Sequence, residues 1–256
     1  MVIKRPQNGI STMAKPHLLL INPNTSDDIT ETIRRLAVAE IGSHAAITAV
    51  TATFGARYIS SRAAVAIAAH GVLDAFASAL ASGLRPDAVI VACFGDPGLD
   101  ALKEMTSTPV FGFADGGLIA AAAEPGTFAI ATIGDAWRDM LAELALRRGL
   151  AHRLAGIIVL DASTRAPEVS GPLIEKAARN LGASRVVVGG TGLIPMLDEL
   201  AQRINLPVID AHRVTLHDAA RITGAARVAA TPPMAGPPVV GLSPALTRLL
   251  QNGAAN

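Results

Sequence analysis

The chain contains eight short, continuous apolar segments, and stretches of helical composition separate most of them. The segments are residues 17–21, 46–51, 88–93, 110–113, 128–133, 157–160, 185–188 and 207–209. Strands that are apolar on both faces are typical of parallel sheets covered by helices on both sides. This alternation therefore predicts an α/β fold with mostly parallel sheets.

Two parts of the sequence resemble each other. The strand HLLLI at 17–21 is followed by a turn and a predicted helix at 27–37. The strand FAIAT at 128–132 is followed by the turn IGD and a predicted helix at 136–148. This similarity predicts two pseudo-symmetric lobes with a ligand site in the cleft between them.

The chain is expected to divide without a long linker. Residues 16–113 are predicted to form the first lobe and residues 114–209 the second. Residues 210–256 are expected to return to the first lobe and end in a C-terminal tail, with Ser243 capping a last helix. Residues 1–15 lack apolar periodicity and are predicted to be a disordered leader.

Charge and composition exclude several classes of function. The 22 Lys and Arg residues balance 21 Asp and Glu residues, so no nucleic-acid partner is indicated. The single cysteine and the lack of an apolar signal core predict a reducing, cytoplasmic location. The alanine-rich stretch 63–81 contains His70 and Asp74, which favours a packed helix over a membrane span. No His, Cys and carboxylate cluster has zinc-site spacing, so no metal is predicted.

Ligands of open α/β sheets bind beyond the carboxyl ends of the strands, and three loops in such places contain polar or small residues. In NPNTSDD at 22–28, Ser26 is expected to cap the next helix. In CFGDPGL at 93–99, Asp96 is expected to cap a helix that begins at Pro97. In GGTGLIP at 189–195, small residues are expected to expose backbone amides that could bind an anion.

Cys93 has two interpretations from its position alone. A thiol at a strand end, just before a capped helix, can have a lowered pKa and act as a proton acceptor. A lone cysteine can equally be a small buried hydrophobe. Asn22 and Asn24 suit an amide, imide or carboxylate ligand, or only form a turn. The histidines His212 and His217 are acid/base candidates or ordinary core and surface residues.

Four sequence words, with a weaker fifth, resemble the aspartate/glutamate/hydantoin racemase superfamily and, within it, the hydantoin and allantoin racemases. They are LLINPNTS at 19–26, VACFGDPGL at 91–99, VVVGGTGL at 186–193, LPVID at 206–210 and the weaker GARYISSR at 55–62. The resemblance implies cofactor-free chemistry at an acidic carbon. It also implies a catalytic Cys93 and a substrate site formed by Asn22, Asn24, Thr25, Phe94, Gly95, Gly190, Thr191 and Gly192.

The resemblance breaks at the second catalytic position. Such racemases use two cysteines on opposite faces of the substrate carbon, and Cys93 falls on the first position. The second cysteine is expected in a Gly-Cys-x-Gly pattern, where this chain has Gly190 instead. The neighbouring Thr191 hydroxyl is too weak an acid to replace a thiol near neutral pH. His212 is the first candidate for the missing group.

Three further activities stay open because of this difference. Arylmalonate decarboxylases of the superfamily use one cysteine, although at the other position, since loss of CO₂ creates the carbanion. An isomerase or C–N bond reaction could use Cys93 as a nucleophile. A non-catalytic descendant would only bind a ligand. In each case the partner is a small carboxylate, imide or hydantoin, with no membrane partner, and a homo-oligomer is left open.

Overall fold

The computed structural model describes residues 15–161, 163–164, 166–222 and 238–252. The leader predicted for residues 1–15 lies outside the described residues, except for Lys15. Most of the proline-rich part of the predicted tail also lies outside them.

The first half of the chain forms a four-stranded parallel sheet in the order β2-β1-β3-β4. Its elements are β1 His17–Asn22, α1 Asp27–Ile41, β2 Ala46–Thr51, α2 Arg62–Ala81, β3 Ala88–Val91, α3 Leu99–Met105, β4 Val110–Gly112 and α4 Phe113–Ala123.

The second half forms another four-stranded parallel sheet in the order β6-β5-β7-β8, which repeats the order of the first. Its elements, with the last helix, are β5 Phe128–Ile133, α5 Ala136–Arg147, β6 Leu154–Leu160, α6 Pro167–Asn180, β7 Arg185–Val188, a 3₁₀ segment Thr191–Met196, α7 Leu197–Arg203, β8 Val208–Asp210, α8 Ala211–Ala220 and α9 Pro244–Asn252. The predicted α/β fold with two similar parallel sheets is confirmed.

The strand register defines which positions of the two halves correspond. Val91 ends β3 and pairs with the penultimate residue of β1. Val188 ends β7 and pairs with Ala131 of β5, the strand that corresponds to β1. Two residues beyond these strand ends lie Cys93 in the first half and Gly190 in the second. The two residues therefore hold equivalent places in the fold.

The two sheets share one apolar core. The inner faces contribute Leu18 and Ile90 from the first sheet and Phe128 and Val187 from the second, all at most 1% exposed. The outer face of the first sheet is covered by α2, α3 and α9, and that of the second by α6 and α7. Burial on both faces explains why the strands are continuously apolar.

Helices α4 and α8 lie between the sheets, and each packs against the sheet of the other half of the chain. Helix α4 follows the last strand of the first sheet but packs on β7, β8 and α8. Helix α8 follows the last strand of the second sheet but packs on α1, β3 and β4. The lobe limits expected from the sequence stay predictions, since each of these helices contacts both halves.

Among the described helices, α2 has the length and composition of a membrane span. Its Val72 and Phe76 are fully buried against the first sheet, and Asp74 in the same helix is also buried. Apolar core helices share this composition, and α2 packs as the sequence predicts.

Two of the predicted caps differ in outcome. The hydroxyl of Ser243 accepts a hydrogen bond from Leu246 N at 3.1 Å, so the predicted cap of α9 is confirmed. Ser26 is the N-cap residue of α1, as predicted, but its side chain makes no capping hydrogen bond. Its backbone N–H instead donates to Asn24 Oδ1 at 2.9 Å, which ties it into the preceding loop.

Candidate active site

The loops at the carboxyl ends of both sheets meet around a cleft with about 550 Å³ of empty space, counted to its open mouth. Six residues predicted from the sequence line it: Asn24, Cys93, Phe94, Gly190, Thr191 and Gly192. Seven residues that sequence reasoning did not single out also line it: Ile29, Tyr58, Ile59, Ala92, Thr132, Ile133 and Trp137. Asn22, Thr25 and Gly95 do not line the cleft.

Cys93 lies in a tight turn just after β3, which ends at Val91 and not at the cysteine. The Cys93 carbonyl accepts hydrogen bonds from Gly95 N at 2.9 Å and from Asp96 N at 3.2 Å. The side chain is half-buried and lines the cleft. The turn therefore fixes the backbone from which the thiol extends.

The Cys93 thiol does not have the lowered pKa expected from the sequence. Burial raises its pKa above the ordinary range, and the negative charge of Asp96 raises it further. The next helix, α3, begins at Leu99 with Gly98 as its N-cap. Its positive end thus lies several residues from the thiol. In the free protein Cys93 is a protonated thiol at neutral pH, which suits a proton donor.

The sequence predicted that Asp96 caps the helix that begins at Pro97, and this prediction is wrong. Asp96 caps α4 instead. Its buried carboxylate accepts hydrogen bonds from Ala114 N at 3.1 Å and Asp115 N at 2.6 Å. To reach them, Asp96 adopts a φ of 50°, the one described non-glycine residue with positive φ. Burial raises the pKa of this carboxyl to about 7, although the two backbone donors act in the opposite direction. Asp96 therefore connects the cysteine turn to the helix between the sheets.

The two asparagines of the first loop have different places. Asn22 is 1% exposed, and its amide lies within hydrogen-bond distance of Asn24 Oδ1 at 2.9 Å and Thr30 Oγ1 at 2.9 Å. Asn24 Oδ1 accepts from Asn22 and from Ser26 N, so its oxygen is fully used inside the loop. Asn24 Nδ2 has no hydrogen-bond partner among the described residues. Asn22 thus holds the loop, and Asn24 presents a donor to the cleft.

Thr25 also acts through the loop and not through the cleft. Its N–H donates to the Ala56 carbonyl at 3.2 Å, which joins the first loop to the loop between β2 and α2. That second loop contains Tyr58, the single tyrosine of the chain, at the mouth of the cleft.

The second lobe presents a glycine where the first presents Cys93. Gly190 has a φ of +115°, a conformation that side chains other than glycine rarely adopt. A Cβ atom built there would lie 3.3 Å from Thr132 Oγ1, with no closer obstruction. Of the loop amides expected to be free, Gly189 N is not, because it donates to the Ala131 carbonyl at 3.1 Å. The second face of the cleft is therefore open and bordered by the Thr132 hydroxyl.

An aromatic ring from each half packs on a glycine of the other half. The Phe94 ring occupies the space that a Cβ at Gly189 would need, and the Trp137 ring does the same at Gly95. These two contacts hold the cysteine turn and its counterpart loop at a fixed separation. They also explain why glycine occurs beside both equivalent positions.

His212 is not brought to the cleft. It is fully buried, its Nδ1 lies 3.1 Å from Asp210 Oδ1, and its ring meets the edge of Phe113 at a centroid distance of 4.8 Å. His217 lies half-exposed near Glu40, with 3.5 Å between Nε2 and Oε2. A buried ring held by Asp210 and Phe113 cannot reach a substrate in the cleft. Within the described ranges, no three His, Cys, Asp or Glu side chains are grouped to hold a metal.

Known proteins match the chain over most of its length. The model of the Asp/Glu/Hydantoin racemase family matches residues 18–219. The hydantoin racemase of Paenarthrobacter aurescens is 31% identical over 201 residues, which are 75% of this chain and 85% of the relative. The structure of the allantoin racemase from Klebsiella pneumoniae superposes with a TM-score of 0.72 at 28% identity, covering 80% of this chain and 86% of that one.

A more distant structure shares only the fold. A variant of arylmalonate decarboxylase in its liganded form superposes with a TM-score of 0.63 at 15% identity, covering 92% of this chain and 98% of that one. The matched region of the family model contains both sheets, the cleft and Cys93. On this evidence the chain is a racemase-type enzyme and belongs to the Asp/Glu/hydantoin racemase family.

Proposed function

We propose that the protein is a cofactor-independent, racemase-like enzyme that transfers a proton through Cys93 at an acidic carbon of a hydantoin, allantoin or amino-acid-like substrate. The observation that carries this proposal is the equivalence of Cys93 and Gly190, both of which line the cleft. A substrate carbon bound between them meets the Cys93 thiol on one face, whereas Gly190 presents no side chain on the other.

Proton transfer at this carbon follows from that asymmetry. Cys93 first releases its thiol proton to solvent; the thiolate then removes the substrate proton and becomes a thiol again, and the substrate becomes a carbanion whose charge spreads onto its carbonyl oxygen. Asn24 Nδ2 and the hydroxyls of Thr132 and Thr191 are the neutral donors that could stabilise this oxygen. The same thiol then returns a proton to the same face, so configuration is retained and exchange with solvent exceeds inversion.

The protonated state of Cys93 favours a second candidate function. An enzyme that forms its carbanion by losing CO₂ needs only a proton donor, and a thiol with a raised pKa is ready for that role. A one-cysteine decarboxylase or lyase would use Cys93 once per turnover, to protonate the carbanion. An isomerase that uses Cys93 as a nucleophile needs the thiolate, as the proton abstraction proposed above does, and so gains no support from the protonated state.

Proton NMR in deuterium oxide, with chiral chromatography, separates these candidates. The unmodified protein is incubated with 5-substituted hydantoins, allantoin, an amino acid and α-aryl malonates. We expect one enantiomer of a hydantoin-type substrate to exchange its α-proton with retention of configuration. Decarboxylation of a malonate without hydantoin exchange would establish the lyase instead. Binding of these compounds without any reaction would establish a ligand-binding protein.

A further inference from the structure

The turn that presents Cys93 lies against a cluster of charged side chains, here called the charge cluster. Its members, in chain order, are Asp96, Asp100, Lys103, Asp115 and Arg148. They come from the turn itself, from α3, from α4 and from the end of α5. Asp96 and Asp115 are buried. When all the members are ionised, the charge cluster has more negative than positive charges.

Asp96 takes no part in the ion pairs of the charge cluster. Lys103 Nζ lies 2.9 Å from Asp115 Oδ2, and Arg148 Nε lies 2.7 Å from Asp115 Oδ1. Arg148 Nη2 also lies 2.8 Å from Asp100 Oδ1. Within the described ranges Asp96 has no ion-pair partner, and only the backbone N–H groups at the start of α4 hold its carboxylate. The uncompensated negative charge is therefore that of Asp96.

This charge is held close to the Cys93 thiol. Asp96 N donates to the Cys93 carbonyl at 3.2 Å, so both residues belong to one turn. The carboxyl group packs on Gly112, where a built Cβ atom would lie only 2.5 Å from each of its oxygens. Burial raises the pKa of Cys93, and the charge of Asp96 raises it further. Since two negative charges in one buried turn repel each other, a thiolate and a carboxylate disfavour each other there.

We propose that Asp96 is a positioning residue that acts through Cys93 and takes up a proton when Cys93 gives up its own. The thiol proton passes to solvent in the cleft, and the carboxylate of Asp96 accepts a proton from solvent. The turn thus keeps a single negative charge, and the thiolate that removes the substrate proton stands beside a neutral carboxyl group. This inference rests on the proposed function, because it supplies the thiolate that the proposed reaction needs.

The titration of Asp96 lies in the range that this exchange of protons needs. Burial raises the pKa of its carboxyl to about 7. The backbone donors Asp115 N and Ala114 N lower it, the charge of Asp115 raises it, and the charge of Arg148 lowers it. Both forms of Asp96 are therefore populated near neutral pH.

Helix α8 also packs near this turn, through β4. It places the neutral Thr215 hydroxyl 3.4 Å from the Gly112 carbonyl. Its His212 is held by Asp210, with 3.1 Å between Nδ1 and Oδ1. Among the described residues, the charges that face Asp96 are therefore those of the charge cluster.

The rate at which iodoacetamide alkylates Cys93 in the full chain, measured between about pH 5 and about pH 9, tests the coupling. In the unmodified protein the rate should rise about tenfold per pH unit below pH 7 and more slowly just above it, because Asp96 ionises there. In Asp96→Asn the steep rise should continue through pH 7. The two proteins should react at the same rate near pH 6, and the variant several-fold faster near pH 8.

Arg148 provides a second test that leaves Asp96 in place. Arg148→Gln removes a positive charge that lowers the pKa of Asp96, so the change of slope should move upward by roughly half a pH unit or more. Arg148→Lys is the matched control, because it keeps the charge and should keep the change of slope near pH 7. If Asp96→Asn fails to fold, as judged by circular dichroism, the two Arg148 variants decide.

The absence of a change of slope in the unmodified protein, or the same change of slope in Asp96→Asn, would overturn the inference. A change of slope that stays in place in Arg148→Gln would do so too. The proposed function is judged separately, by deuterium exchange with the unmodified protein. A change of slope without exchange would leave the coupling of Asp96 and Cys93 standing and refute the reaction. Exchange without a change of slope would refute the coupling alone.

Discussion

The turn after β3 and the turn after β7 occupy equivalent places in two sheets of the same strand order, yet they differ in chemistry and in backbone. The first presents Cys93, with Asp96 in a strained conformation beside it. The second presents Gly190, which has the positive φ itself. Each turn therefore contains a residue with positive φ, but only the first turn contains titratable side chains. The comparison teaches that the second turn has adapted to glycine and has not merely lost a side chain.

The largest effect is expected from removing the thiol of Cys93, since its equivalent, Gly190, has no side chain. Cys93→Ala should lower the rate of deuterium exchange by about 10²- to 10⁴-fold, because one positioned proton-transfer group typically contributes this much. Proton NMR in deuterium oxide measures the rate, and circular dichroism verifies the fold. Undiminished exchange would mean that the reactive group lies elsewhere.

The next test makes the two turns alike. Gly190→Cys places a thiol on the second face and should raise net inversion by about 10²-fold. The left-handed φ of residue 190 should also make this variant less stable, by about 1–3 kcal/mol.

Gly190→Ala is its matched control, because it has the same backbone strain and no thiol. It should lose the same stability in urea denaturation and gain no inversion in chiral chromatography. Inversion by the alanine variant would contradict the role given to the second thiol.

A third test addresses the rings that join the turns. Gly95→Ala should destabilise the protein by about 1–3 kcal/mol, because the new methyl group overlaps Trp137. Combining it with Trp137→Leu should recover part of the loss, which urea denaturation of all four variants of the cycle would measure. Strict additivity of the two changes would rule out the contact as the cause.

The smallest expected effect concerns the charge that only the first turn has. Asp96→Asn removes a negative charge near Cys93 and should lower the pKa of the thiol. Its alkylation by iodoacetamide near pH 8 should then become several-fold faster, roughly in proportion to the thiolate fraction. An unchanged rate–pH profile would show that burial alone sets the pKa.

The same variant tests whether the contribution of Asp96 to the stability of the protein rises or falls with pH. The folded pKa of Asp96, about 7, is above its unfolded value, so the folded state binds more protons between these pKa values. The contribution of Asp96 to the free energy of unfolding should therefore be largest at acidic pH and fall as the pH rises to about 7. The stability difference between the unmodified protein and Asp96→Asn, measured by urea denaturation, should fall in the same direction. A difference that grows with pH would contradict the raised pKa.

Local apolar pattern was enough to predict most of the fold. The predicted strands β2, β5 and β7 agree with the structure to the residue, because each is a continuous apolar run with polar or turn residues around it. The prediction extended β3 to Cys93, since alanine and cysteine continue its apolar run. The structure ends this strand at Val91, where pairing with β1 and β4 stops. Pattern alone does not show where a partner strand ends.

The site was less predictable, because its chemistry depends on contacts distant in sequence. Asp96 precedes Pro97, as a residue that caps the next helix would. Its carboxylate oxygens instead accept hydrogen bonds from the backbone N–H groups of Ala114 and Asp115, which are distant in sequence. The raised pKa of Cys93 also depends on burial that only the assembled lobes provide. One signal for a missed residue was present, because Trp137 is the single tryptophan of the chain.

The exchanged positions of α4 and α8 have a consequence for how the molecule unfolds. Each of these helices completes the half that its own strands do not belong to, and the apolar core between the sheets is continuous. Neither half can separate without exposing that core, so the chain should melt in one cooperative transition and not half by half. A fragment ending after α4 would display the face that α8 covers and should aggregate. Both faces of the cleft are thus held at a set distance before any ligand arrives.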